Sequence, residues 1–162
     1  MSRGGAVEIV EVPDGSRDGL EFILDESFEG LYLRHAKRTL KEIGVVRAAR
    51  SPEGPVGVIM VKTLEEKTGY VYYVAVARTH RRKGLAALLL KDALEKFKAD
   101  GLEDIYASVE EDNVPSARLF LSNGFVRASF AEVAKRFGTL RAVNMYRVMM
   151  VVPGEILLHK SI

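Results

Sequence analysis

The chain has 162 residues, 48% of them apolar, no cysteine, and a formal charge of +2 with acidic and basic residues interspersed. That length suits one domain with a real core rather than two, and the balanced charge excludes a global field for nucleic acid or an anionic membrane. Without cysteine there is no disulfide, thiolate metal site or cysteinyl acyl-enzyme, and His35, His80 and His159 lack close ligand spacing, so no metal is expected.

Met1 to Glu8 lacks the apolar core of a signal peptide, and no apolar run approaches the roughly 20 residues that span a bilayer, so a cytoplasmic protein is expected. Val7 to Val12 alternates apolar and acidic residues as an edge strand does, and Pro13-Asp14-Gly15 ends it. Leu20 to Phe28 reads as a short helix. Tyr32, Ala36, Leu40 and Ile43 continue at helical spacing after a bend at Glu29-Gly30, with Gly44 as C-cap. Val45 to Ala49, Val56 to Thr63 and Tyr70 to Val76 read as three antiparallel strands at the sheet centre. From Gly84 a long helix follows, with Ala86, Leu90, Ala93, Leu94 and Phe97 on its apolar face and Asp92 and Lys96 on its wet side. Asp104 to Val109 is a strand. Asp112 or Asn113 caps a helix with Pro115 in its first turn, and Asn123-Gly124 closes it. Phe125 to Val133 and Ala142 to Val152 read as the last two strands, which leaves 153–162 as a C-terminal tail, a small addition or a contact surface.

The chemistry concentrates where the apolar strand ending Val74-Ala75-Val76 runs through Arg81-Arg82-Lys83-Gly84 into Leu85-Ala86 and the long helix. The first N–H groups of a helix have no intrahelical partner and carry partial positive charge, so a polyphosphate can be held there largely by main chain. Glycine at Gly84 lets the phosphate approach closely. Alone, such a basic turn is ordinarily a solvated surface feature. The strand before it, the helix after it and a second element at Asn113 distinguish this one.

Order and motifs resemble the GNAT superfamily of acyl-CoA N-acyltransferases from about Val7 to Val152. The superfamily pattern Arg/Gln-x-x-Gly-x-Gly/Ala is met by Arg81, Gly84 and Ala86, and the downstream elements by Asn113, Ala117 and Gly124-Phe125. The resemblance implies an α+β GNAT fold, a single domain (7–152) with a mixed, mostly antiparallel sheet flanked by helices. It implies acetyl-CoA as cosubstrate, its pyrophosphate on the amides of Arg82, Lys83, Gly84, Leu85 and Ala86. Val74, Ala75 and Val76 would pair with the pantetheine, whose two amides suit open strand backbone, and Asn113 and Phe120 would flank the thioester arm. A finer similarity, to catalytic subunits of A-type N-terminal acetyltransferases, rests on Arg78-Thr79-His80-Arg81-Arg82-Lys83-Gly84-Leu85-Ala86 and on Leu24, Glu26, Phe28 and Tyr32.

Direct attack of an amine on the thioester suits a chain without cysteine. An α-amine, with a pKa of about 7.7–8.0 against about 10.4 for lysine, makes the lighter demand on a base. By the finer similarity Glu26 stands at the acceptor site as candidate base, with Glu29, Glu110 and Glu111 behind it. Phe120 occupies a position where the family usually has a tyrosine, and Ser108 one where a related bacterial ribosomal-protein acetyltransferase has a glutamate. Arg136 to Arg141 replaces an acidic, tyrosine-bearing loop, which predicts less basic or more acidic acceptors. Tyr70, Tyr72 and Tyr73 read as strand residues by propensity, with one of them a candidate for the acceptor channel. The expected reaction is N-acetylation of a protein N-terminus. Small amines or lysine as acceptors, a non-catalytic acyl-CoA sensor or partner subunit, and a homodimer stay open as alternatives.

Overall fold

In the computed structural model, which describes residues 5–162, seven strands form one sheet in the order β1-β2-β3-β4-β5-β7-β6. The strands are β1 (Glu8–Glu11), β2 (Val45–Ser51), β3 (Gly54–Leu64), β4 (Thr68–Val76), β5 (Asp104–Glu110), β6 (Val126–Ala128) and β7 (Glu155–Ser161). All neighbours are antiparallel except β4 and β5, which run parallel. The helices are α1 (Glu21–Asp25), α2 (Gly30–Glu42), α3 (Leu85–Ala99), α4 (Val114–Ser122), α5 (Phe130–Phe137) and α6 (Thr139–Met149). None is long and apolar enough to cross a membrane. The expected mixed, mostly antiparallel sheet flanked by helices is therefore what forms.

Strand alternation sorts the core onto two faces. On one, Ile59, Val71, Ile105 and Ala107 meet Leu85, Leu89, Leu90, Ala93 and Phe97 of α3 and Phe120 of α4. On the other, Val46, Ala48, Val58 and Met60 meet α1 and α2 through Ile23, Leu24, Ala36 and Leu40. Farther along that second face, Tyr70, Tyr106 and Leu157 are covered by Val133, Ala142 and Met149 of α5 and α6.

Five expectations need correction. Phe125 to Val133 and Ala142 to Val152 are not strands: only Val126–Ala128 is extended, and α5 and α6 follow it. Ser129 accepts from the Glu132 amide while Glu132 accepts from the Ser129 amide, a reciprocal capping box that starts α5. The apolar set Ala142, Met145, Tyr146 and Met149 recurs at helical spacing against the sheet, overriding the β preference of the valines and tyrosine. The segment 153–162 is not an addition, because its strand β7 lies between β5 and β6 and pairs with β5 from Glu110–Glu155 to Asp104–Ser161; the last strand of the domain lies beyond the expected boundary at 152. Asp92 is not on a wet face but is ion-paired to Arg47 of β2.

Nor does Gly44 cap α2, which ends at Ile43 in extended conformation. The carbonyls there are taken by Arg17, only 3% exposed. Its guanidinium donates to Val12 O (3.2 Å), Leu40 O (3.1 Å), Ile43 O (2.7 Å) and Gly44 O (3.4 Å) and pairs with Asp14 at 2.9 Å. One buried side chain thus closes the C-terminus of α2 against the end of β1.

Candidate active site

The site starts from a break in the sheet. Pairing of β4 with β5 runs from Thr68–Asp104 to Val71–Ala107 and stops. Across β3, Met60 faces Tyr73 and Val61 faces Val71, so Tyr72 is the extra residue of a bulge, which bends the strand and swings its far half away from β5. Val74 to Val76 stay paired with β3 only, which leaves an open strand edge toward β5. The Ala77 amide donates to Val56 O at 2.8 Å on the β3 side; the Val76 carbonyl points the other way and accepts from Arg81 Nε at 3.0 Å.

Immediately after that edge a single 3-10 turn (Arg78–His80) leads to Arg82 and Gly84, both left-handed at φ +61° and +76°, with Gly84 as N-cap of α3. The first intrahelical bond is Leu88 N–H to Gly84 O, so the amides of Leu85, Ala86 and Ala87 have no helical partner. Arg82, Lys83 and Gly84 are exposed, whereas the Leu85 side chain is buried in the core and offers only its backbone. On the same face Asn113 caps α4 by accepting from the Ser116 amide at 3.3 Å. Ala117 lies one turn on, half-buried. Phe120 is buried edge-to-face against Phe125 at 5.1 Å between centroids, a core residue with no hydroxyl to offer.

Glu26 is brought to this turn. Its carboxylate accepts from the Arg78 amide at 2.6 Å, and its carbonyl accepts from Arg81 Nη2 at 2.7 Å. With Arg81 also donating to Ser27 Oγ at 3.3 Å, the link between α1 and α2 braces the basic turn through Arg81 Nε and Nη2. Glutamine keeps an acceptor oxygen and alanine does not. Glu26→Gln is therefore expected to leave acetyl-CoA affinity within about threefold and Glu26→Ala to weaken it roughly tenfold, the worth of one charge-assisted hydrogen bond; isothermal titration checks both.

The sheet face opposite α3 carries a cluster of tyrosines beside the gap. Tyr70 Oη meets Ser108 Oγ at 2.6 Å, Tyr72 donates to Val148 O at 2.7 Å, and Tyr73 Oη lies 2.5 Å from His35 Nδ1. Tyr32 of α2 donates to Glu155 at 3.1 Å, across from Glu110, the strand partner of Glu155. Tyr32, Glu110, Glu111, Asp112, Pro153 and Gly154 line an open depression of about 440 Å³. Burial, then the neighbouring carboxylates Glu110 and Glu155, hold the Tyr32 hydroxyl well above the usual phenol range, and burial raises Tyr70, Tyr72 and Tyr73 likewise. These phenols stay protonated at neutral pH.

Arg136 and Arg141 do not face this mouth as acceptor-selecting charges. Arg136 is paired at 2.7 Å with the buried Asp104, which also meets His159 at 2.7 Å, and Arg141 is paired with Glu66 at 2.7 Å. The rim that remains is acidic. Sequence reasoning missed Glu155, placed in a tail, and His35, weighed only as a metal ligand; the parity of Glu155 with Leu157 and His159 on β7 was the available signal.

A family model described as "Acetyltransferase (GNAT) family" matches residues 17–125. The N-alpha-acetyltransferase 30 of Saccharomyces cerevisiae is 28% identical over 92 residues, 54% of this chain and 52% of that protein. The chain spans between 15% and 52% of the length of the curated relatives it matches. Among solved structures, a GNAT family acetyltransferase from Elizabethkingia anophelis with acetyl-CoA bound superposes with a TM-score of 0.70 at 15% identity, over 96% of this chain and 98% of that one. The NatC complex bound to Gag peptide and CoA does so with 0.66 at 20% identity, over 96% and 99%.

Proposed function

The chain belongs to the acetyltransferase (GNAT) family, and from that we propose that it moves the acetyl group of acetyl-CoA directly to a primary amine, a protein N-terminal α-amine. The observation that carries the reading is the gap between β4 and β5, open along Val74 to Val76, with a basic helix N-terminus on one face and a hydroxyl- and carboxylate-lined mouth on the other. The pyrophosphate sits on the amides of Arg82 to Ala86, the pantetheine lies along Val74, Ala75 and Val76, and Asn113, Ala117 and Phe120 wall the thioester arm. Glu26, whose carboxylate is engaged by Arg78, holds the turn in place rather than serving as the base.

The acceptor enters from the tyrosine side. A cation is favoured there by Glu110, Glu111, Asp112 and Glu155, which raise its local concentration, and the open mouth accommodates a chain trailing from the amine. The same acidic rim also suits a small polyamine, the second reading. Mass spectrometry on paired acceptors separates them: a peptide with a free N-terminus and an internal lysine is expected to gain a single acetyl group on the α-amine. Acetylation of small amines alone, with the peptide untouched, would overturn the N-terminal assignment.

A further inference from the structure

We propose that Tyr73 is the group through which the attacking amine loses its proton, with His35 behind it as the acceptor of the Tyr73 proton. The inference rests on the acetyl-transfer reading and adds the proton's route. Tyr73 is the first residue of β4 beyond the bulge, where β5 no longer pairs, and it sits on the acceptor face against Phe28 and His35. His35 Nε2 lies 2.8 Å from Met150 Sδ. A thioether has no proton to give, so Nε2 carries the ring hydrogen, and the bare Nδ1 accepts from Tyr73 O–H at 2.5 Å.

The other hydroxyls at the gap are committed elsewhere. Tyr72 donates to a backbone carbonyl, and the buried Tyr70 meets only the Ser108 hydroxyl, which is no base. Tyr32 is backed by a carboxylate, a weaker base than imidazole near neutral pH. Phe120 has none, and the Glu26 carboxylate is held by the Arg78 amide. Burial, and then Arg38 on the same helix, lower the pKa of His35, with Glu155 of β7 and Glu42 of α2 opposing them. The resting imidazole is therefore neutral and able to take a proton.

The step balances as follows. The amine lone pair attacks the thioester carbon, and the carbonyl π pair moves onto oxygen. The N–H proton passes to Tyr73 Oη as the Tyr73 proton passes to His35 Nδ1. The oxygen pair re-forms the carbonyl, and the C–S bond breaks with its pair leaving on sulfur. The thiolate takes a proton from water at the open mouth, and the imidazolium returns one to water.

Tyr73→Phe is expected to lower kcat by about 10²- to 10⁴-fold, with acetyl-CoA affinity and thermal melting near wild type. The wild-type kcat should fall with acidity below the ordinary His35 range. The amine's own limb moves with acceptor pKa; the His35 limb should not, and His35→Gln should abolish it. A kcat in Tyr73→Phe within about threefold of wild type would overturn the role of Tyr73. An unchanged acid limb in His35→Gln would overturn that of His35, whether or not Tyr73→Phe folds. Wild-type turnover establishes the acetyl-transfer reading separately; its absence with every amine would remove both.

Discussion

Gly84→Glu is expected to weaken acetyl-CoA binding by about 100-fold or more, because a carboxylate would be set among the amides assigned to the pyrophosphate, and like charges so placed cost several kcal/mol. The fold should survive. An added Cβ at Gly84 meets no atom within 4 Å, and the backbone cost of the substitution is the left-handed φ of +76°, about 1–2 kcal/mol for a residue with a side chain. Gly84→Asn, which tolerates that backbone and adds no charge, separates the effects: it should bind far better than Gly84→Glu. Isothermal titration with acetyl-CoA, alongside a thermal melt, gives both quantities, and affinity unchanged in Gly84→Glu would move the pyrophosphate elsewhere.

Arg17→Leu is expected to cost about 3–5 kcal/mol of folding stability, since it strips donors from four backbone carbonyls and leaves those of Leu40 and Ile43 buried without their partner. In a domain of this size that is a fall in Tm of about 10 °C or more. Arg17→Lys keeps the charge but not the planar fork, and should recover only part of the loss. The exposed partner Asp14, 86% accessible, contributes little by itself, and Asp14→Ala should change the melt by no more than about 1 kcal/mol. Equal melts for Arg17→Leu and the native chain would mean that α2 ends without help from Arg17.

The two predictions sit on opposite sides of what the sequence made legible. The strand-turn-helix around Gly84 could be read because its signals are local: an apolar strand, a basic glycine turn and a helical repeat follow one another with no long-range information needed. The Asn113 cap and the closure at Asn123-Gly124 were legible for the same reason. Arg17 was not, because its partners lie up to 27 residues away and nothing near it announces a buried charge. The strands misread at 125–152 fail by a different route. Valine and tyrosine favour strands, and only the capping box Ser129-x-x-Glu132 and the three- and four-residue spacing of Ala142, Met145, Tyr146 and Met149 say helix. Once those residues were taken as strands, 153–162 had no place in the sheet, and Glu155 disappeared from the acceptor side with it. The residues proposed for the cofactor side therefore came from local pattern, whereas the proposed acceptor side had to be assembled from α2, β4, β5 and β7.

On the proposed reading the two faces of the gap have separate jobs: main chain and helix N-terminus for the acyl donor, phenols, imidazole and carboxylates for the amine. The measurement that tests this most directly is thiol release from acetyl-CoA with a peptide bearing a free N-terminus, followed with a thiol reagent to which the cysteine-free protein is itself silent. Release that depends on the peptide and stops when its α-amine is blocked is the expected result. Tight acetyl-CoA binding without thiol release, across peptides, lysines and small amines alike, would contradict acyl transfer and leave a protein that binds the cosubstrate without turning it over.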